Sequence, residues 1–210
     1  MKKCVIFDLD GTIICSQMAW FYAARDLCAL HGREFNLSVD DVRKITRNSI
    51  RPLITEVIGK CDGETVNNFW CIAYRKYFNC LTLAPKLISS LNKYENDVLF
   101  VLFSNKDKMH SENIIRRLGI ARFFRLVIDV NVVGRKPNTY GFNLICSEFQ
   151  IERENMLFVG DSITDLIAAR HAGVDFLFAT WCSGFPSNVA CSQYFDCHMV
   201  NSSSEFVRFI

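Results

Sequence analysis

The stretch Val5-Ile6-Phe7-Asp8-Leu9-Asp10-Gly11-Thr12 constrains this chain more than any other, because an apolar run passes directly into two carboxylates one residue apart, a glycine and a hydroxyl. Consecutive bulky apolar residues suit the centre of a parallel sheet, whose strands are buried on both faces. In open α/β sheets, reactive groups collect at the carboxyl ends of strands, where loops form a crevice. Alternate residues of a strand share a face, so Asp8 and Asp10 lie on one side if the strand continues through them. Two carboxylates about 4 Å apart repel by roughly 4 kcal/mol at an effective dielectric near 20, so the pair calls for a cation or a shared proton. The reading is a buried strand that ends in a metal site.

Composition narrows what surrounds that strand. With 210 residues, half of them hydrophobic, the chain can bury a sizeable core. A formal charge of +2 with scattered basic residues leaves no stripe for nucleic acid and no polybasic membrane segment. The apolar run after Met1-Lys2-Lys3 is cut short by Asp8, and no run nears the ~20 residues of a spanning helix, so the expectation is a cytoplasmic protein without membrane or nucleic-acid partners. The ten cysteines form no Cys-x-x-Cys pair and mostly sit in hydrophobic periodic segments; they read as small buried hydrophobes in a reducing compartment. The four histidines show no ligand spacing, which disfavours a zinc site.

Periodicity divides the chain in two. Ser16 is placed to cap a helix with Trp20, Ala23, Ala24, Leu27 and Leu30 on one stripe and Gly32 as its stop. Ser38 with Asp41 reads as a capping box for a helix through Ile45, and further helices are predicted over 50–58, ended by Gly59, and over 64–78. From Ala84 onward, helices over 84–94, 108–118, 138–149 and 164–172 alternate with strands over 97–103, 126–129, 156–159 and 174–179, the rhythm of a parallel sheet with crossover helices. A final helix is predicted from Ser203. The fold expected is α/β: a doubly wound, Rossmann-like parallel sheet over residues 1–15 and 84–210, with an inserted all-helical domain over residues 16–83.

Three later segments repeat the pattern of a strand closing on polar residues. Leu99-Phe100-Val101-Leu102-Phe103 ends in Ser104-Asn105-Lys106, Gly134-Arg135-Lys136-Pro137 precedes a predicted helix, and Met156-Leu157-Phe158-Val159 opens into Gly160-Asp161-Ser162-Ile163-Thr164-Asp165. Each alone is ordinary turn or cap chemistry. Jointly, several acidic or hydroxyl strand ends at one sheet edge would leave carboxylates unneutralised without a metal or lysine. Asp8-x-Asp10-Gly11-Thr12 followed in order by these three segments resembles the four motifs of the haloacid dehalogenase superfamily, and the whole chain resembles its phosphoglycolate-phosphatase-like branch, with residues 16–83 as the helical cap.

That resemblance implies a magnesium-dependent phosphatase acting on a small phosphorylated metabolite. Asp8 would be the nucleophile that forms an aspartyl-phosphate, and Asp10 the acid and base. Asp8, the main-chain carbonyl of Asp10 and Asp161 would hold Mg²⁺, with Asp165 orienting that shell or holding Lys136. Ser104 and the amides around Asn105 would bind the phosphoryl group, while Lys136 neutralises charge between nucleophile and phosphate. Pro137 is expected at the first position of the following helix. In the cap, Arg47 and Arg51 are candidates to meet a second anionic group of the substrate. Dehalogenases resemble the pattern without the second aspartate, so Asp10 favours phosphoryl transfer. The alternatives are a sugar-phosphate mutase, which keeps both aspartates, and a catalytically idle binding or regulatory module. The intact set Asp8, Asp10, Ser104, Lys136, Asp161 and Asp165 argues against the idle module.

Overall fold

A computed structural model describes residues 2–46, 49–182 and 197–210. Its strands are β1 (Cys4–Phe7), β2 (Ile14–Cys15), β3 (Thr82–Leu83), β4 (Leu99–Leu102), β5 (Phe124–Val127), β6 (Met156–Gly160), β7 (Asp175–Ala179) and β8 (His198–Val200). Its α-helices are α1 (Gln17–Leu30), α2 (Val39–Ile45), α3 (Arg51–Ile58), α4 (Gly63–Cys71), α5 (Leu87–Tyr94), α6 (Lys108–Arg117), α7 (Val130–Val133), α8 (Tyr140–Phe149) and α9 (Ile163–Ala172). The chain divides into two compact units, residues 1–14 with 83–210, and residues 15–82.

The first unit is an α/β fold around a six-stranded sheet in the order β5-β4-β1-β6-β7-β8, every adjacent pair parallel. All of β1 and β6 is buried, as both faces of a doubly wound sheet require. One face contributes Cys4, Ile6, Val101, Phe103, Met156, Phe158, Phe176 and Phe178 to a continuous core that α8 and α9 help to fill. On the other face Phe7 meets the ring of Phe206 edge-on at 5.2 Å, so a 3₁₀ turn over Phe206–Phe209 closes the C-terminus where a helix from Ser203 was expected. From β1 the chain builds outward to β4 and β5, then returns to the opposite side of β1 for β6, β7 and β8. That reversal makes the carboxyl end of β1 a topological switch point, where such sheets bind ligands.

The second unit is helical. The capping box expected at Ser38 is present, with Asp41 N donating to Ser38 Oγ at 3.2 Å and Ser38 N donating to Asp41 Oδ2 at 3.0 Å. Gly59 ends α3 in the left-handed region, at φ 79°. The single helix expected over 64–78 is broken: α4 gives way to a π-helical turn over Ile72–Lys76 and a 3₁₀ turn over Phe78–Cys80. In that widened turn the Tyr74 hydroxyl accepts from Trp20 Nε1 at 3.1 Å, and Trp70 meets Trp20 edge-on and Tyr74 at a tilt, so aromatic packing has overridden α-helical spacing. Ser16 does precede α1, but it does not cap it. Its ψ of −1° is helical, whereas a capping side chain reaches back to the helix from extended backbone.

Two short elements went unpredicted, and one expectation needs correction. Neither α7 nor β8 follows from periodicity, because elements of 4 and 3 residues are too short to carry a pattern. Cys15 is in a disulfide, and so is Cys182, so the free-thiol reading does not hold for either; Cys4, Cys28, Cys61, Cys71, Cys80 and Cys146 are free thiols. No helix among the described residues is long and apolar enough to cross a membrane.

Candidate active site

Strand register brings the first, second and fourth segments together. Phe7 pairs with Leu102 of β4 on one side and Val159 of β6 on the other, so the residues that follow all three emerge at one sheet edge. Pairing persists just beyond the strands: Asp8 N donates to Val159 O at 2.9 Å, and Phe103 N donates to Phe7 O at 2.9 Å. Asp8, Ser104 and Asp161 therefore take their positions from three neighbouring interior strands of the sheet. The third segment arrives from the loop after β5 and α7. Asn105 clasps its backbone: Lys136 N donates to Asn105 Oδ1 at 2.7 Å, and Asn105 Nδ2 donates to Lys136 O at 3.2 Å.

Lys136 is the centre of charge. Its Nζ stands 2.5 Å from Asp8 Oδ1 and 2.6 Å from Asp165 Oδ1, over the rings of Phe103 and Phe158 at 5.4 and 5.3 Å. Asp165 is itself fixed, its Oδ2 accepting from Ser162 Oγ at 2.6 Å and Ser162 N at 3.2 Å in the capping box of α9. Pro137 does not begin the next helix as expected. It lies within a turn in which Asn138 N donates to Arg135 O at 2.9 Å, and α8 starts only at Tyr140.

Oxygens of Asp8, Asp161 and Asp165 lie within 4.8 Å of one another. At that spacing each pair of ionised carboxylates repels by roughly 3 kcal/mol at an effective dielectric near 20. Burial pushes Asp8 up to about 7; Lys136 pulls it down, while the charges of Asp165 and Asp10 oppose that pull. Asp161 is held well above the ordinary carboxylate range, by burial first and then by Asp8 and Asp165. Burial works to lower Lys136, yet the charges of Asp165 and Asp8 hold it above the usual lysine value. Three clustered carboxylates, of which Asp8 and Asp165 meet the Lys136 ammonium, form an oxygen donor set short of positive charge, which fits a hard divalent cation such as Mg²⁺.

Two features of the site had no assigned role in the sequence reading. Gly11 has φ 84°, and a Cβ there would stand 1.9 Å from Asp161 Oδ2, so only glycine lets this carboxyl approach the turn after β1. Lys106 is nearly enclosed, with 6% of its side chain exposed, and its Nζ is 3.4 Å from Asp10 Oδ2. Burial lowers its proton affinity more than Asp10 restores it. Its position next to Ser104-Asn105 was the available signal, although a lysine after a strand is usually solvated. Ser104 is buried, and its Oγ accepts from Lys106 N at 3.2 Å. Of the two arginine candidates, Arg47 lies outside the described residues, and Arg51 is exposed on α3 with Nη1 3.7 Å from Cys61 Sγ.

Comparison with known proteins gives these features a lineage. The chain is 27% identical to phosphoglycolate phosphatase 1 of Pseudomonas aeruginosa, over 83% of this chain and 68% of that protein. It is 26% identical to the N-acetylmuramic acid 6-phosphate phosphatase of the same organism, over 81% of this chain and 78% of that one. A haloacid dehalogenase-like hydrolase from Streptococcus pneumoniae superposes with a TM-score of 0.83 at 18% identity, covering 99% of this chain and 98% of its own. CbbY from Rhodobacter sphaeroides, solved in complex with phosphate, superposes with a TM-score of 0.76 at 16% identity, covering 98% and 96%. The family described as haloacid dehalogenase-like hydrolase matches residues 5–179, and this chain belongs to it.

Proposed function

We propose that the protein is a magnesium-dependent phosphatase that hydrolyses a small phosphomonoester through an aspartyl-phosphate on Asp8. The observation that carries this reading is the buried Lys136 ammonium between Asp8 and Asp165, beside a carboxylate group compact enough for one cation. Asp8 attacks phosphorus, its oxygen forming the new bond as the ester P–O bond breaks and its electron pair goes to the leaving oxygen. Asp10 gives that oxygen a proton, then takes one from the water that attacks the phosphoenzyme. Lys136 and the Ser104 hydroxyl meet the charge on the phosphoryl oxygens. Mg²⁺ held by Asp8, Asp161 and the main-chain carbonyl of Asp10, with Asp165 in support, would supply charge neutralisation when bound.

The relatives named for phosphoglycolate and for a sugar phosphate support a small-metabolite substrate for this chain. So does the insertion of a helical unit at residues 15–82, between the first strand and the rest of the sheet. We assign it the role of a cap that selects the leaving group and excludes water. The test is phosphate release with Mg²⁺ from a panel of small phosphate esters, alongside phosphoenzyme trapping. A wild-type protein that releases no phosphate from any ester, or an Asp8→Asn variant that still does, overturns the reading.

A further inference from the structure

We propose that Lys106 is a positioning residue for leaving-group departure: its enclosed ammonium fixes the Asp10 carboxyl apart from the carboxylates that would hold the cation. The proposal rests on the phosphatase reading above. Carboxylate oxygens of Asp8, Asp161 and Asp165 cluster within 4.8 Å, and the Asp10 carboxyl is not part of that cluster. Asp10 Oδ2 faces Lys106 Nζ at 3.4 Å instead.

The backbone that carries Lys106 is held on both sides. Lys106 N donates to Ser104 Oγ at 3.2 Å, and the next residue, Asp107, caps α6 by accepting from His110 N at 3.0 Å. An ammonium with 6% of its side chain exposed costs more to bury than a surface lysine and needs an anion to offset that cost. The Asp10 carboxyl, with 14% of its side chain exposed, contributes most to that offset, ahead of Asp8 and Asp107. A short carboxyl arm beside a divalent cation has two stable destinations, the cation or the ammonium. Lys106 selects the second, leaving the Asp10 side chain out of the coordination shell: Oδ2 stays against the ammonium, and the other oxygen is left to take up the proton that passes to the ester oxygen as the P–O bond breaks.

The experiment compares Lys106→Met and Lys106→Arg with wild type on two esters with Mg²⁺. One is p-nitrophenyl phosphate, whose leaving group departs as a stabilised anion. The other is whichever of phosphoglycolate and glycerol 3-phosphate the wild type hydrolyses faster, since an alkoxide needs a proton to leave. In Lys106→Met the ratio of kcat/KM for the alkyl ester over the aryl ester should fall at least about 30-fold, part of the roughly 10²–10⁴-fold that a positioned acid contributes. Lys106→Arg should recover most of that ratio. Because it is a ratio, a smaller folded fraction cannot imitate the result. Equal losses on both esters would overturn the proposal, as would a rise in KM with kcat unchanged, which would make Lys106 a phosphate-binding cation. A wild type inactive on every ester would instead remove the phosphatase reading, and this proposal with it.

Discussion

Two lysines in this molecule make ion pairs of the same length, and only one belongs to the candidate site. Lys136 stands 2.5 Å from Asp8 in the α/β unit, with 2% of its side chain exposed. Lys76 stands 2.5 Å from Asp26 in the helical unit, with 62% exposed. The first pair is delivered by strand ends and a loop clamped by Asn105, over aromatic rings, where a lost partner leaves a charge without solvent. The second lies on a helical surface, where such pairs contribute about 0–1 kcal/mol and salt screens them. Distance is therefore a poor guide to function. Burial, and the rigidity of the elements that carry the pair, separate the two units.

The sharpest break in that comparison comes from Asp8. Asp8→Asn should lower magnesium-dependent turnover by about 10⁵-fold or more, the scale seen when a covalent nucleophile is removed, with circular dichroism unchanged. Retained turnover would reduce the Lys136–Asp8 pair to a structural contact like its surface counterpart. Next in size is Lys136→Met, expected to cost roughly 10³-fold in kcat and about 3–5 kcal/mol of stability, because it strands two buried carboxylates. Denaturant melts and phosphate-release kinetics measure both. A loss no larger than that of Lys76→Met would erase the distinction between the units.

Gly11→Ala probes how closely the site is packed. Its added carbon must displace Asp161, so the apparent Mg²⁺ affinity in activity titrations should weaken by about 10–100-fold while the sheet still folds. Unaltered affinity would mean Asp161 does not hold the cation. Asp8 also gives a pH signature. Its pKa is raised from 3.8 to about 7, so its protonated form stabilises the metal-free fold fully below about pH 4, and that contribution is lost as the pH rises through about 7. Mg²⁺ must displace that proton, so it should raise Tm by a few degrees more at about pH 8 than at about pH 5.5 in calorimetry. The opposite order would place the cation elsewhere. The smallest effect sharpens the helical side: Arg51→Ala on exposed α3 should change kcat/KM by less than about 3-fold and stability by under about 0.5 kcal/mol. A tenfold rise in KM would instead make Arg51 a substrate contact.

Much of the α/β unit could be read in advance because its signals are local. Runs such as Val5-Ile6-Phe7 and Met156-Leu157-Phe158-Val159 are buried on both faces wherever they sit in the sheet, so their hydrophobicity needs no knowledge of neighbours. Boundaries moved by one to three residues: the strand expected over 126–129 is Phe124–Val127, and the helix expected over 84–94 begins at Leu87. The helical unit was legible where a side chain caps its own helix, as at Ser38 and Asp41, and illegible where distant rings decide the geometry, as at Tyr74 and Trp20.

The sequence by itself determined which groups stand at the strand ends, since the residues after Phe7, Phe103 and Val159 are set by where each apolar run stops. Only the tertiary structure decided how those groups divide their partners. Lys136 faces Asp8 and Asp165, Asn105 grips the Lys136 backbone, and Lys106 faces Asp10. The reason is physical: an apolar run reports its own burial, whereas a charge in a low-dielectric crevice takes its role from the opposite charges that a parallel register and a distant loop bring within a few ångströms.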